Sequence, residues 1–358
     1  MSDHPQASVV LTVYNDLRFL NAAVDSILQQ EFRDFELVIV DDGTGEDAIF
    51  RALEHRDPRV RLVVNPMNLG GAAAANRGIA AARSEIIVRH DADDVAEPER
   101  LGRLIAALAD DPQLGLVGSA VTLIDEHDQM HGVQRMPATD LEIRWTILFH
   151  NPFYHPAVAF RRQFFEAAGE YRVDEIVSYD HYLWFDMLPF CRARNLTEPL
   201  ARYRVNPRGL TSVNSRNPRN RTHSIRETLW KRLGLAYDLY DDALAKDVTQ
   251  WLRGQELAPE RRGAAYRVIL TLLHAFLAAA RPFKCVEDAE SARRLASDII
   301  VRMVANQPAR MRDAIKIFQA CWKISRSGTL TGMAEHLADR YRSVRRAAAR
   351  RFLRLRLR

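Results

Sequence analysis

Glu85-Ile86-Ile87-Val88-Arg89-His90-Asp91-Ala92-Asp93-Asp94 joins an apolar run to three carboxylates within four positions. The run reads as a strand, and carboxylates this dense rarely serve a core. At the carboxyl end of a buried parallel strand they lie on the edge where open α/β sheets bind ligands, and hard cations prefer such oxygen donors. The stretch therefore marks a candidate site for a metal-held phosphate group. Asp94 is also placed to cap a helix beginning near Glu97-Pro98-Glu99-Arg100, so turn chemistry is the competing explanation.

Outward from this stretch, apolar segments alternate with helical patterns. Ser8-Val9-Val10-Leu11-Thr12-Val13 reads as a first strand, and Asp16 to Gln30 as an amphipathic helix with Leu17, Leu20, Ala23, Val24 and Ile27 on one face. Phe35 to Val40 is a second strand ending in Asp41-Asp42-Gly43-Thr44. Glu46 to His55 is a helix, Val60 to Val64 a third strand, Gly71 to Arg83 a helix of small residues, and Ile86 to Val88 a fourth strand. This alternation predicts a doubly wound, mainly parallel sheet. A helix to Ala109, an apolar segment from Leu114 to Val121 and a hairpin through Asp125-Glu126-His127-Asp128 follow.

Past Arg216 the character changes to long helical patterns without strand signals. The polar stretch Asn214-Ser215-Arg216-Asn217-Pro218-Arg219-Asn220 is the expected linker. The division is then residues 1–213 as an α/β domain, 221–340 as a helical region and candidate dimerisation element, and 341–358 as a basic tail. The chain has 358 residues and 47% apolar content, enough for a large core. Cys191, Cys285 and Cys321 are widely spaced, which argues against a disulfide framework or a zinc site and fits a reducing cytosol. No apolar leader follows Met1, and the longest apolar run, near Val268 to Leu273, is too short to cross a bilayer.

The formal charge is +5, but Tyr341 to Arg358 hold eight arginines and no acid. The remainder carries 43 basic against 46 acidic residues, which argues against a nucleic-acid binder. The arginines of the tail are interleaved with Val344, Phe352, Leu353, Leu355 and Leu357. They suit an anionic membrane surface, where each basic residue contributes about 1 kcal/mol, or a solvated end.

Three strand ends converge on one sheet edge: Thr12-Val13-Tyr14-Asn15, Asp41-Asp42-Gly43 and Asp91-Ala92-Asp93-Asp94. An aromatic face, a carboxylate for a base or ribose and a metal site in one place suit a nucleotide diphosphate. The first strand is not followed by GxGxxG, and no GxxxxGK[ST] loop is present, so neither a dinucleotide nor a P-loop site is expected.

With these residues in place, the chain resembles the family 2 inverting glycosyltransferases of the GT-A fold, a nucleotide-diphospho-sugar transferase architecture with a Rossmann-like sheet. The resemblance runs from Ser8 to Ser212. It is carried by Ser8 to Asn15, Val38-Ile39-Val40-Asp41-Asp42-Gly43-Thr44, Asn68-Leu69-Gly70-Gly71 leading to Asn76-Arg77-Gly78-Ile79, and the DxD-type Asp91-Ala92-Asp93-Asp94. It implies that Thr12, Tyr14 and Asp42 face the nucleoside, with Asp42 accepting a hydrogen bond from the base. Asp91 and Asp93 would bracket the ribose and a Mg²⁺ or Mn²⁺ ion on the diphosphate, supported by Asp94, with Asn76 and Arg77 as nearby donors, as packing residues or as solvent-exposed side chains.

The implied catalytic base is Asp180, in Ser178-Tyr179-Asp180-His181-Tyr182-Leu183-Trp184, where the family usually carries a Glu-Asp pair; here Tyr179 replaces the first acid. His155, in Asn151-Pro152-Phe153-Tyr154-His155-Pro156, falls in the family's acceptor-side segment. Asn206 replaces a phosphate-facing histidine of the family, with Arg204 or Arg208 as substitutes. The expected activity is metal-dependent, inverting transfer from a nucleotide sugar, a UDP-sugar by preference, to a hydroxyl of a bacterial-type surface glycan or lipid-linked saccharide. The expected place is the cytoplasm, peripheral to the inner face of the membrane. The rival readings are a sugar nucleotidyltransferase and a degenerate nucleotide-sugar-binding scaffold.

Overall fold

The computed structural model describes residues 4–175 and 178–207, together with eight positions between 244 and 269. The chain divides into two compact units, residues 1–226 and 227–358. In the first, β1 (Ala7–Val13), β2 (Phe35–Asp41), β3 (Val60–Val64) and β4 (Ile86–Asp91) alternate with α1 (Leu20–Leu28), α2 (Asp47–Arg56) and α3 (Gly71–Ala81). Then come β5 (Val95–Ala96), α4 (Arg100–Asp110), β6 (Leu114–Ile124), β7 (Met130–Gln134), α5 (Asp140–Thr146), a 3₁₀ turn at His155–Ala157, β8 (Ala159–Arg161), α6 (Arg162–Ala167), α7 (Tyr179–Met187) and β9 (Arg192–Arg204).

The strands form one sheet in the order β3-β2-β1-β4-β8-β6-β9-β5, with β7 paired to β6. From β3 to β4 all neighbours are parallel, as the strand–helix alternation requires. Beyond β4 the sheet turns mixed: β8 runs antiparallel to both β4 and β6, β6 and β9 are parallel, and β5 runs antiparallel to β9. Periodicity reveals a strand but not its direction. Strands of two and three residues, such as β5 and β8, carry no period at all.

The apolar runs of β1 and β2 are buried on both faces, as in a sheet covered by helices. On one face α1 inserts Leu20, Ala23, Val24 and Ile27. Leu20, Val24 and Ile27, fully buried, each contribute roughly 1.5–3 kcal/mol. The expected start of this helix at Asp16 is not observed. Asp16 Oδ1 instead accepts from the Arg18 backbone N at 3.3 Å, a local bond that competes with helix formation. On the other face α3 lies close to the sheet because Gly78 has no side chain: a Cβ there would meet Val10 Cγ1 at 2.6 Å and Val40 Cγ2 at 2.7 Å.

In the second unit the eight described positions are helical; Val248, Ala265, Val268 and Ile269 are buried, and Arg261 pairs with Asp247 at 2.7 Å. The expected linker at 214–220, most of the helical region at 221–340 and the whole tail at 341–358 lie outside the described residues. No helix among the described residues is long and apolar enough to cross a membrane.

Candidate active site

Strand register assembles the site. Val13 of β1 is paired with Asp41 of β2, and Thr12 of β1 with Asp91 of β4, so the carboxyl ends of the three strands share one edge. Asp93 and Asp94 follow in the turn after β4, and α7 brings Asp180 to the same region.

Asp91 is one-third exposed and lies 3.6 Å from Arg89 Nη2 and 3.7 Å from His155 Nδ1, both measured to Oδ1. Its pKa is pushed up to about 6, first by burial and then by Asp93 and Asp180, against the pull of Arg89. Burial also raises Asp93, whose Oδ2 accepts from Asn206 Nδ2 at 3.0 Å. Asp94 is buried and its pKa is raised well above the usual carboxylate range, again by burial first and then by its two acidic neighbours. It does not cap α4; its Oδ1 accepts from the Arg204 backbone N at 2.7 Å, which ties the acidic turn to β9.

Asp180 lies in the first turn of α7, after Ser178 in a left-handed conformation at φ 62°. Its Oδ2 accepts from Asn151 Nδ2 at 2.5 Å. Burial pushes its pKa up to about 6, against the hydrogen bonds from the His181 backbone and Asn151. The surroundings are aromatic: Trp184 is fully buried among Phe153, Phe160, His155 and Tyr171. Tyr179 packs edge-on against Tyr171 and His155, and its hydroxyl approaches Gly71, where a Cβ would lie 2.8 Å from the oxygen.

The remaining sequence candidates divide. Tyr14 is 47% exposed at the end of β1, and Thr12 accepts from Arg89 Nη2 at 3.3 Å. Asp42 is buried. Its Oδ1 accepts from Asn65 Nδ2 at 2.7 Å and from the Leu69 N at 3.0 Å, and its Oδ2 accepts from the Gly70 N at 3.0 Å. Three of four lone-pair positions therefore hold the loop ahead of α3, so Asp42 shapes this wall of the site as much as it faces it.

One alternative is narrowed and one expectation corrected. Asn76 takes the packing role: its Nδ2 donates one N–H to the Tyr171 O at 2.9 Å and its Oδ1 accepts from the Tyr171 N at 3.1 Å, so the amide clamps one backbone. Arg204 is not a replacement phosphate contact. It is buried, donating to the Asp93 O and Asp125 O at 2.7 Å each and to Asp128 Oδ1 at 2.6 Å, and it stacks over Phe19. Arg77 is exposed, and Arg208 lies outside the described residues.

Arg89, Asn151 and Tyr171 were not singled out from the sequence. Arg89 alone left a signal, a charge directly after the apolar run of β4; it is wholly buried, with Nη1 donating to the Val10 O at 2.6 Å.

Residues 8–169 match the sequence profile of glycosyl transferase family 2. The matched region is a glycosyl transferase family 2 domain. Among its relatives, the amylovoran biosynthesis glycosyltransferase AmsE of Erwinia amylovora is 28% identical over 252 residues, covering 69% of this chain and 89% of the relative. The O-antigen biosynthesis glycosyltransferase WbnJ of Escherichia coli is 29% identical over 232 residues, covering 63% and 89%. Residues 1–349 of S. aureus TarS, solved in complex with UDP-GlcNAc, share the fold with a TM-score of 0.51 at 15% identity, over 96% of this chain and 92% of that one.

For a glycosyltransferase, the donor set suits a hard divalent cation. Asp91 and Asp93 offer carboxylate oxygens, and each has its pKa raised by burial and by a neighbouring acid despite the arginines nearby. Among the described residues no group of three or more His, Cys, Asp or Glu is arranged to hold a metal ion, so an ion at Asp91 and Asp93 would take its other ligands from phosphate oxygens and water.

Proposed function

We propose that this glycosyltransferase moves a sugar, with inversion, from a nucleotide diphosphate donor to a hydroxyl of a glycan or lipid-linked saccharide. Asp180 is the base. The observation that carries this reading is the meeting of Asp180, held by Asn151, with the carboxylates at the end of β4 in one aromatic-walled site, where burial pushes both Asp91 and Asp180 up to about 6. A general base works best with a pKa near the operating pH, and Asp180 is oriented for it by Asn151.

Asp180 takes the acceptor's proton as its oxygen attacks the anomeric carbon from the face opposite the diphosphate. The bond from that carbon to the leaving oxygen breaks, and negative charge grows on the diphosphate. Mg²⁺ or Mn²⁺, held by Asp91 and Asp93, would stabilise that charge more in the transition state than in the ground state. Tyr14 and Thr12 border the nucleoside side, and Asp42 holds the loop that closes it.

A UDP-sugar is the preferred donor by sequence resemblance, and S. aureus TarS, which shares the fold, was crystallised with UDP-GlcNAc. Calorimetric titration of UDP into the intact chain, with and without Mn²⁺, tests the donor site. Binding that requires Mn²⁺ and is lost in Asp91→Asn supports it; equal binding by wild type and Asp91→Asn removes the assignment.

A further inference from the structure

The imidazole of His155 takes no part in the chemistry above, yet it is among the most constrained groups of the site. Arg89 Nε donates to His155 Nε2 at 3.3 Å, and the Tyr171 hydroxyl lies 2.9 Å from the same nitrogen. A guanidinium N–H cannot accept, so Nε2 presents its lone pair and the ring proton resides on Nδ1. Nδ1 faces Asp91 Oδ1 at 3.7 Å, just beyond hydrogen-bond range, and Arg89 Nη2 flanks that oxygen at 3.6 Å.

The supports are themselves anchored. Tyr171 and Tyr179 meet the imidazole edge-on, each with ring centroids 5.6 Å away, and Trp184 tilts against it at 6.2 Å. Asn76 clamps Tyr171 through both its backbone N and O. Arg89 is held by the Val10 O and Thr12 Oγ1. A path of fixed groups thus runs from α3 through Tyr171 and His155 to the tip of β4.

We propose that His155, locked by Tyr171 and Arg89, is a positioning residue for Asp91: its Nδ1–H dipole, 3.7 Å from Oδ1, attracts that carboxylate oxygen electrostatically and leaves the other for the donor's diphosphate and its cation. This rests on the reading of Asp91 as part of the donor site. Partners that orient a metal-ligating carboxylate typically account for 10–100-fold in affinity when removed. The same arrangement gives Asn76 its purpose, since it fixes Tyr171, a support of the imidazole.

The test is the calorimetric titration of UDP with Mn²⁺ into the full chain and its variants, each first checked for an unchanged circular dichroism spectrum. His155→Leu is expected to weaken UDP binding about 10–100-fold in the presence of Mn²⁺. His155→Asn, whose amide N–H overlays Nδ1–H, is expected to recover most of that loss. Tyr171→Phe, a milder change that leaves Arg89 in place, is expected to lose about two- to tenfold, the share of one hydrogen bond.

Wild-type affinity in both His155→Leu and Tyr171→Phe overturns the proposal if Asp91→Asn has lost binding. Equal losses in His155→Leu and His155→Asn also overturn it, because they point to packing alone. Wild-type affinity in Asp91→Asn instead overturns the donor-site reading, and the positioning role with it.

Discussion

Asp180 carries its proton until about pH 6 because burial disfavours its charged form. As the proposed base, Asp180 must be unprotonated to act, and Asp91 must be ionised to hold the cation, so the rate of transfer should climb tenfold to a hundredfold per pH unit below about 6 and level off above it, measured as kcat/KM against pH. Asp180→Asn should lower turnover by about 10²- to 10⁴-fold while UDP binding stays intact, because the amide keeps the shape and loses the basicity. The identity of such residues is legible in a sequence, but their direction is not. Asn76 and Arg204 belong to recognisable segments, and both turn their polar atoms onto backbone that lies far along the chain.

At the scale of elements, the loops after β2 and before α3 behave as one piece. Gly43 has φ +79°, and a Cβ there would lie 2.4 Å from the Met67 carbonyl carbon, so only glycine fits. Asp42 beside it holds Leu69 and Gly70. Gly43→Ala should therefore push the 65–70 loop outward and weaken UDP binding; a lowered melting temperature with normal affinity would contradict this coupling.

The second joint is Arg204, which links β9 to the acidic turn and to the hairpin between β6 and β7. Arg204→Met leaves buried carbonyls unsatisfied, at about 1–3 kcal/mol for each group. It should lower both the melting temperature and the affinity for UDP with Mn²⁺, as read by thermal unfolding and calorimetry.

For the whole molecule, the raised pKa of Asp180 predicts that its carboxylate opposes folding at neutral pH. A carboxylate with a folded pKa near 6 and an unfolded value near 3.8 makes the folded state bind the extra proton, so its contribution to stability grows as pH falls from 6 toward 4. His90 and His155, buried and held neutral well below their usual pKa, act in the opposite sense over the same range. Comparison of Asp180→Asn with wild type isolates the single acid. The variant should melt higher at pH 7.5, and the gap should close between about pH 6 and 4 as the wild-type carboxyl takes up its proton. A gap independent of pH would assign the effect to packing.

The sequence by itself determined the parallel half of the sheet, from β1 to β4, and the acids at its carboxyl ends. Apolar runs, helical periods and strand-end carboxylates are local patterns, complete within a few residues. Only the tertiary structure decided which polar groups face the site and which hold it together. Asp94 meets Arg204 across 110 residues, Asn76 meets Tyr171 across 95, and Asn151 meets Asp180 across 29. Such bonds leave no period in the chain. They exist because burial removes water from groups that must then find donors and acceptors wherever the fold brings them.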